Sequence, residues 1–307
     1  MIGFEKIYKN LSYSLSKNKL HHAIVIAGNK GIGKFEFAKN FAKEILEDNF
    51  EGNILHHPDL KIVEKVIGKK NISVDQIRSV TSFFHSTSAV SKKKIAIINA
   101  ADDLNVSSSN AILKTLEEPN DDCYLILICN SVSKLLPTIK SRCQFYKADN
   151  LSFTQFQESF YNLRPKFLPK LSDEEIRALS LLTDNSPRMA FKTGEELTLI
   201  YNAFLDSIND NFLNTELLKK VSDKAADFGN ILMIFDIFFN RLIKFYSKID
   251  LQLLEREKKA FTIIAKNKSI EQIFKIYDTS KLALTRTMSV NLDKKLTLIN
   301  IFNRLTI

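Results

Sequence analysis

An α/β module with a parallel sheet, followed by a small helical domain and an all-helical C-terminal domain, is the fold class this sequence predicts. Three observations predict it. Short apolar runs alternate with helical periodicity through the first 150 residues, a glycine-rich turn separates the first such run from the first helical stripe, and strand signals fade from about residue 151 onward. The expected domains are 1–150, 151–195 and 196–307. A chain of 307 residues with 45% hydrophobic content is long enough to bury two or three cores.

The elements follow in order. Buried strands are expected at Ala23–Ala27, Ile95–Ile98 and Tyr124–Cys129, each short, apolar and flanked by helical patterns. After the first strand, KFEFAKNFAKEIL sets Phe37, Phe41 and Leu46, or Phe35, Ala38, Ala42 and Ile45, at helical spacing with Lys and Glu opposite. SVDQ at Ser73–Gln76 is a capping box that starts a helix running toward His85: the Ser hydroxyl accepts an amide while the Gln side chain reaches back to the cap. NVSSSNAILKTLEEP signals a further helix, with Asn105 or a following Ser as its cap and Pro119 as its stop. Pro137 can open a short helix through Ile139, and Arg142 leaves it just before a strand at Gln144–Tyr146. Beyond 151, SDEE at Ser172–Glu175 is a second capping box, and Pro187 suits a first helical turn, where its missing N–H is unpaired anyway. The segment Glu195–Ile307 holds no Pro and one glycine, Gly229, so its apolar-periodic runs read as a packed group of long helices.

Composition narrows the function. The formal charge is +9, mostly from lysine spread along the whole chain, which admits contact with nucleic acid or an anionic surface but shows no clustered arginine. Three cysteines, Cys123, Cys129 and Cys143, have no C-x-x-C spacing and read as small buried hydrophobes. The N-terminus shows no signal-peptide core, so the cytoplasm is the expected compartment. The most apolar stretch, Ile231–Tyr246, is interrupted by Asp236, Asn240, Arg241 and Lys244 and reads as a buried helix rather than a membrane span.

GNKGIGKF at residues 28–35 carries the chemistry. Gly28, Gly33 and Lys34 match the phosphate-loop pattern, in which successive amide hydrogens cradle a phosphate and the lysine adds a point charge. Phe35 stands where a Ser or Thr would hold magnesium. A hydrolysis site also needs acidic residues directly after a second strand, to hold the metal and polarise water. In KKIAIINAADDLN those positions are Asn99 and Ala100, and Asp102 and Asp103 lie further along, where they read as solvated residues at a helix start. Two independent parts of an ATPase site are thus absent from one chain.

SSSNAILKTLEEP (Ser107–Pro119), HPD (His57–Asp59), VDQIR (Val74–Arg78) and LLPTIKSRCQ (Leu135–Gln144) resemble, in order and spacing, the clamp-loader subunits of bacterial DNA polymerase III. Within that family, an intact SRC at Ser141–Cys143 beside an altered phosphate loop is similar to the delta-prime group. The motifs lie in roughly the first half of the chain. The resemblance implies an AAA+ module, a small helical lid and a helical collar through which five subunits form a ring. It implies partnership with gamma or tau ATPase subunits and with delta, and with primer-template DNA and the sliding clamp inside the complex. It also implies that Arg142 projects into the neighbour's ATP site as a trans arginine finger, where such a residue contributes roughly 10³ to 10⁵ in rate. The residues alone leave a plainer reading of Arg142, a salt bridge at a helix end.

No cofactor is expected to be turned over: Gly28, Gly33 and Lys34 could hold ATP or ADP without cleavage or remain empty. Many relatives carry four zinc-binding cysteines before the HPD segment, yet Glu47–Pro58 contains none. His21, His22, His56 and His57 do not complete a tetrahedral set, so no metal is expected. SPRM at Ser186–Met189 lies near where active relatives place a lid arginine, and Arg188 is read as structural. The rival readings are an active ATPase using Asp102 or Asp103, and a stand-alone basic DNA-binding protein.

Overall fold

The structure, a computed structural model, describes residues 2–46, 52–166, 168, 170–215, 217–218, 225–290 and 293–306, with only the backbone given for 225–228 and 290. The chain divides into two compact units, Met1–Ser159 with Ser186–Arg188, and Phe160–Asn185 with Met189–Ile307.

In the first unit the elements run α1 (Glu5–Ser16), β1 (Ala23–Ala27), α2 (Lys34–Leu46), β2 (Leu60–Glu64), α3 (Val74–His85), β3 (Lys94–Asn99), α4 (Val106–Glu117), β4 (Cys123–Cys129), α5 (Pro137–Lys140) and β5 (Gln144–Lys147). The strands form one parallel sheet in the order β2-β3-β4-β1-β5. Period-two alternation divides its side chains between two cores. Ile24, Ile26, Ile95, Ile97, Ile126 and Ile128 face α1 and α2, packing on Phe37, Phe41, Ile45 and Leu11. Ala23, Val25, Ala96, Ile98, Leu125 and Leu127 face the other way, onto Ile77 and Val80 of α3, Ile112 and Leu116 of α4, and Ile139 of α5. Cys123 and Cys129 share this second face, and burial pushes each thiol up to about 11, consistent with inert core groups. Because β1 and β4 are neighbours buried on both faces, their C-terminal ends deliver the glycine loop and the segment after Cys129 to the same edge of the sheet.

Local signals behave as their chemistry requires. Ser73 and Gln76 form the capping box of α3, and Asn105 is the cap of α4, accepting from the Ser108 amide at 2.9 Å. Thr81 of α3 and Thr115 of α4 hydrogen-bond at 3.1 Å across the helix pair. HPD is a structural turn. The Asp59 carboxylate, 1% exposed, accepts from the amides of Ala89, Val90 and Ser91 at 2.7, 2.8 and 2.8 Å, and so fixes the loop before β3. Burial alone would raise its pKa, but these three bonds, with His57 beside them, hold it below the usual carboxylate value.

After α6 (Phe153–Leu163), the second unit contains α7 (Asp173–Leu182), α8 (Pro187–Asn209) from Met189 onward, α9 (Ala225–Tyr246), α10 (Glu255–Asn267), α11 (Ile270–Val290) and α12 (Lys294–Thr306). Ser172 and Glu175 cap α7 as expected, and Pro187 opens α8. In α9, Ile231, Ile234, Phe235, Phe238, Phe239 and Leu242 form a buried stripe against Tyr201, Phe204, Phe261 and Ile264. At its edge Glu257, wholly buried, accepts from Arg241 Nε and Nη2 at 2.6 Å, from the Tyr201 hydroxyl at 2.5 Å and from the Leu254 amide at 2.9 Å. A buried charge so fully paired is costly to break and fixes the register of α8, α9 and α10. No helix among the described residues is long and apolar enough to cross a membrane.

Candidate functional site

The glycine loop forms because the chain must turn sharply between β1 and α2. Gly33 lies at φ +106°, a conformation that side chains with a Cβ rarely adopt, and a Cβ on Gly28 would sit 2.7 Å from the Ala148 carbonyl oxygen. Both glycines are therefore required by the backbone itself. Lys34, the first residue of α2, is only 4% exposed and turns back into the loop. Its ammonium donates to the Gly28 and Asn29 carbonyls, each at 2.6 Å, and to Asn130 Oδ1 at 2.9 Å. An ammonium has three protons, and all three are used. Burial pushes Lys34 down to about 8, with Asp102 opposing, so it is still cationic at neutral pH. Phe35 is half-buried against the α1–α2 core, with Lys39 Nζ 5.1 Å from its ring centre.

Across the loop, Asn130 follows β4 and is held by Asp102, whose Oδ1 accepts from the Asn130 backbone amide at 2.8 Å and its side-chain amide at 3.3 Å. Asp102 is thus a half-buried, bonded residue in a short 3-10 turn, Ala101–Asp103, and not merely a solvated residue at a helix start. Asp103 pairs with Lys65 at 3.0 Å, and the Asn99 side-chain amide donates to Glu64 at 2.6 Å. The chain Lys34–Asn130–Asp102 joins β1, β4 and the segment after β3 into one internal polar network.

Arg142 sits elsewhere on the unit, after α5. Pro137 opens that helix, and the Arg142 amide donates to the Ile139 carbonyl at 3.1 Å. Its side chain is 35% exposed. Nη1 donates to the Thr138 carbonyl at 3.0 Å and meets the Ser141 hydroxyl at 3.1 Å, while Nη2 pairs with Glu117 at 2.8 Å. Cys143 is half-buried, its thiol pushed by burial up to about 12.

The remaining candidates are brought together only in part. Arg188, which clusters with the first unit, lies 3.7 Å from Glu36 near the start of α2. His21 and His22 stack at 4.4 Å, whereas His57 is buried and accepts from the Asp59 amide at 3.0 Å. No group of three or more His, Cys, Asp or Glu side chains among the described residues could hold a metal ion; residues 47–51 of the Glu47–Pro58 stretch lie outside them. Sequence reasoning missed Asn130 and Glu117. Asn130 was marked by its place as the first polar residue after an apolar strand, and Glu117 only by belonging to the LEEP segment.

A family model described as DNA polymerase III, delta subunit, matches residues 3–152. A DNA polymerase III subunit delta' of Pseudomonas aeruginosa is 36% identical over 135 residues, covering 40% of this chain and 41% of its own length. One from Bacillus subtilis is 36% identical over 154 residues, 45% of each chain. A DNA polymerase III subunit gamma of Buchnera aphidicola subsp. Schizaphis graminum is 30% identical over 246 residues, covering 74% of this chain and 64% of its own. The chain thus spans less than two thirds of each of these relatives. Residues 3–152 are thus similar to the delta-prime subunits of DNA polymerase III.

Proposed function

We propose that this chain is a non-catalytic member of a clamp-loader ring in DNA replication, silent at its own phosphate loop and active on its neighbour's. On this reading residues 151–195 are the lid and 196–307 the collar through which the ring assembles. Arg142 then serves as a trans arginine finger on ATP held by a gamma- or tau-type subunit. Delta, the sliding clamp and primer-template DNA are the further partners, with lysine side chains following the phosphate backbone inside the assembled ring.

The observation that carries this reading is the state of Lys34. Its three protons are taken by two loop carbonyls and Asn130, so the cation that would meet a phosphate instead closes the loop on itself. Phe35 offers no hydroxyl for magnesium, and Asn99 and Ala100, at the end of β3, offer no carboxylate. The active-ATPase alternative would need Asp102 or Asp103 as metal ligands, yet the first is bonded to Asn130 and the second to Lys65. The purified chain is therefore expected to hydrolyse ATP no faster than background. Robust turnover that disappears on changing Lys34 would overturn the proposal.

A further inference from the structure

The corner that holds Arg142 contains a carboxylate paired with its guanidinium. Glu117 is the last residue of α4, at the negative end of that helix dipole, where a carboxylate is disfavoured unless a cation lies beside it. Glu118, Asp121 and Asp122 follow in the chain and add charge of the same sign. Arg142 supplies the cation, with Nη2 2.8 Å from Glu117 Oε1. A guanidinium recognises carboxylate and phosphate oxygens through the same planar fork, so the two anions compete for it. The pair is also accessible to such competition, because the side chains of Arg142 and Glu117 are 35% and 49% exposed.

We infer that Glu117 is a positioning residue that latches Arg142 onto its own subunit until the triphosphate of the neighbouring subunit displaces it. This rests on the finger reading of Arg142. The latch makes the competent arginine a fraction of the total, and apparent ATP affinity at the neighbour's site falls by that fraction. In the latched state the bonds of Nη1 to the Thr138 carbonyl and the Ser141 hydroxyl hold the guanidinium beside Glu117.

The test uses the complex reconstituted with its ATPase partners, carrying wild-type, Glu117→Gln, Arg142→Ala or both substitutions in this chain, with ATP turnover followed across ATP concentration. Glu117→Gln is expected to lower KM for ATP by up to about fivefold, the span of a surface ion pair, while kcat is held. General structural damage would instead lower kcat. In the Arg142→Ala background the second substitution should change nothing. If Arg142→Ala slows turnover but Glu117→Gln leaves KM unchanged, lowers kcat, or acts equally without Arg142, the latch is wrong and the finger reading stands. If Arg142→Ala leaves turnover unchanged, both are wrong. Thermal melting of each free variant and the assembled mass confirm that equal amounts of folded complex are compared.

Discussion

Lys34 and Arg142 are two cations of one α/β unit, and they are spent differently. Lys34 is 4% exposed, and its three partners come from its own loop and from Asn130. Arg142 is 35% exposed, and the ion pair it makes is with a surface carboxylate. The difference teaches that a motif lysine is not a binding residue merely by being present: what matters is whether the protons it would offer a ligand are already assigned. An internal cation with saturated bonds stabilises a loop, whereas a surface cation in an exchangeable pair can be lent to another molecule. Surface pairs are worth at most about 1 kcal/mol, little beside what a phosphoryl transition state offers an arginine.

The largest effect expected from breaking this contrast is at Arg142. Replacing it with Ala in the assembled complex should slow hydrolysis at the site it serves by about 10³-fold or more, measured under single turnover. Arg142→Lys should recover little, because an ammonium lacks the bidentate fork. An unchanged rate would leave Arg142 with only its salt bridge.

Asp59 is the anionic counterpart of Lys34, buried and fully bonded, and it tests whether such groups are structural. Asp59→Ala should destabilise the first unit by about 3 kcal/mol, because three amides lose a charged acceptor, as read by urea denaturation. Its folded pKa lies below the ordinary carboxylate value, so its contribution is present above that value and is lost as pH falls through the lowered one. The gap between wild type and variant should therefore close in acid.

Lys34→Met is expected to cost about 2 kcal/mol at pH 7, because it leaves three acceptors without their donor. The pH dependence has the opposite sense. With a folded value near 8, below that of an unfolded lysine, the unfolded chain binds the extra proton between the two values. Wild-type stability from this group therefore rises with pH above 8, and the gap to Lys34→Met should widen there. A gap that stays constant would mean that the ammonium is not buried, and one that narrows that the fold stabilises the charged form.

The smallest effect is expected at Phe35. Phe35→Ser restores the magnesium hydroxyl, yet turnover by the isolated chain should stay at background because no carboxylate follows β3 in position. The loss of half-buried ring packing should cost about 1 kcal/mol in stability. A gain in hydrolysis would show that the hydroxyl was the one part missing.

Much of the first unit was legible where chemistry is local. The strands at β1, β3, β4 and β5, the caps Ser73 and Asn105, and Pro137 opening α5 each depend on residues within a few positions of one another. α1 and β2 escaped. α1 buries a narrow stripe of Ile7, Leu11 and Leu15, and β2 is an edge strand in which only Leu60 and Val63 are buried, so neither makes a strong periodic run. The site was half legible. The glycines and Lys34 declare themselves by spacing, but the partners that decide their role do not: Asn130 is 96 positions from Lys34, and Asp102 is 28 from Asn130. The Tyr201–Glu257 bond, 56 positions apart, was hidden for the same reason.

The central claim is that the loop of this chain is closed on its own lysine and cannot organise a metal-bound triphosphate. Equilibrium binding of a fluorescent ATP analogue to the purified chain, with magnesium and with the metal chelated, tests it most directly. The account predicts weak binding that magnesium does not strengthen and that Lys34→Ala does not abolish. Tight binding that requires magnesium and vanishes in Lys34→Ala would contradict it.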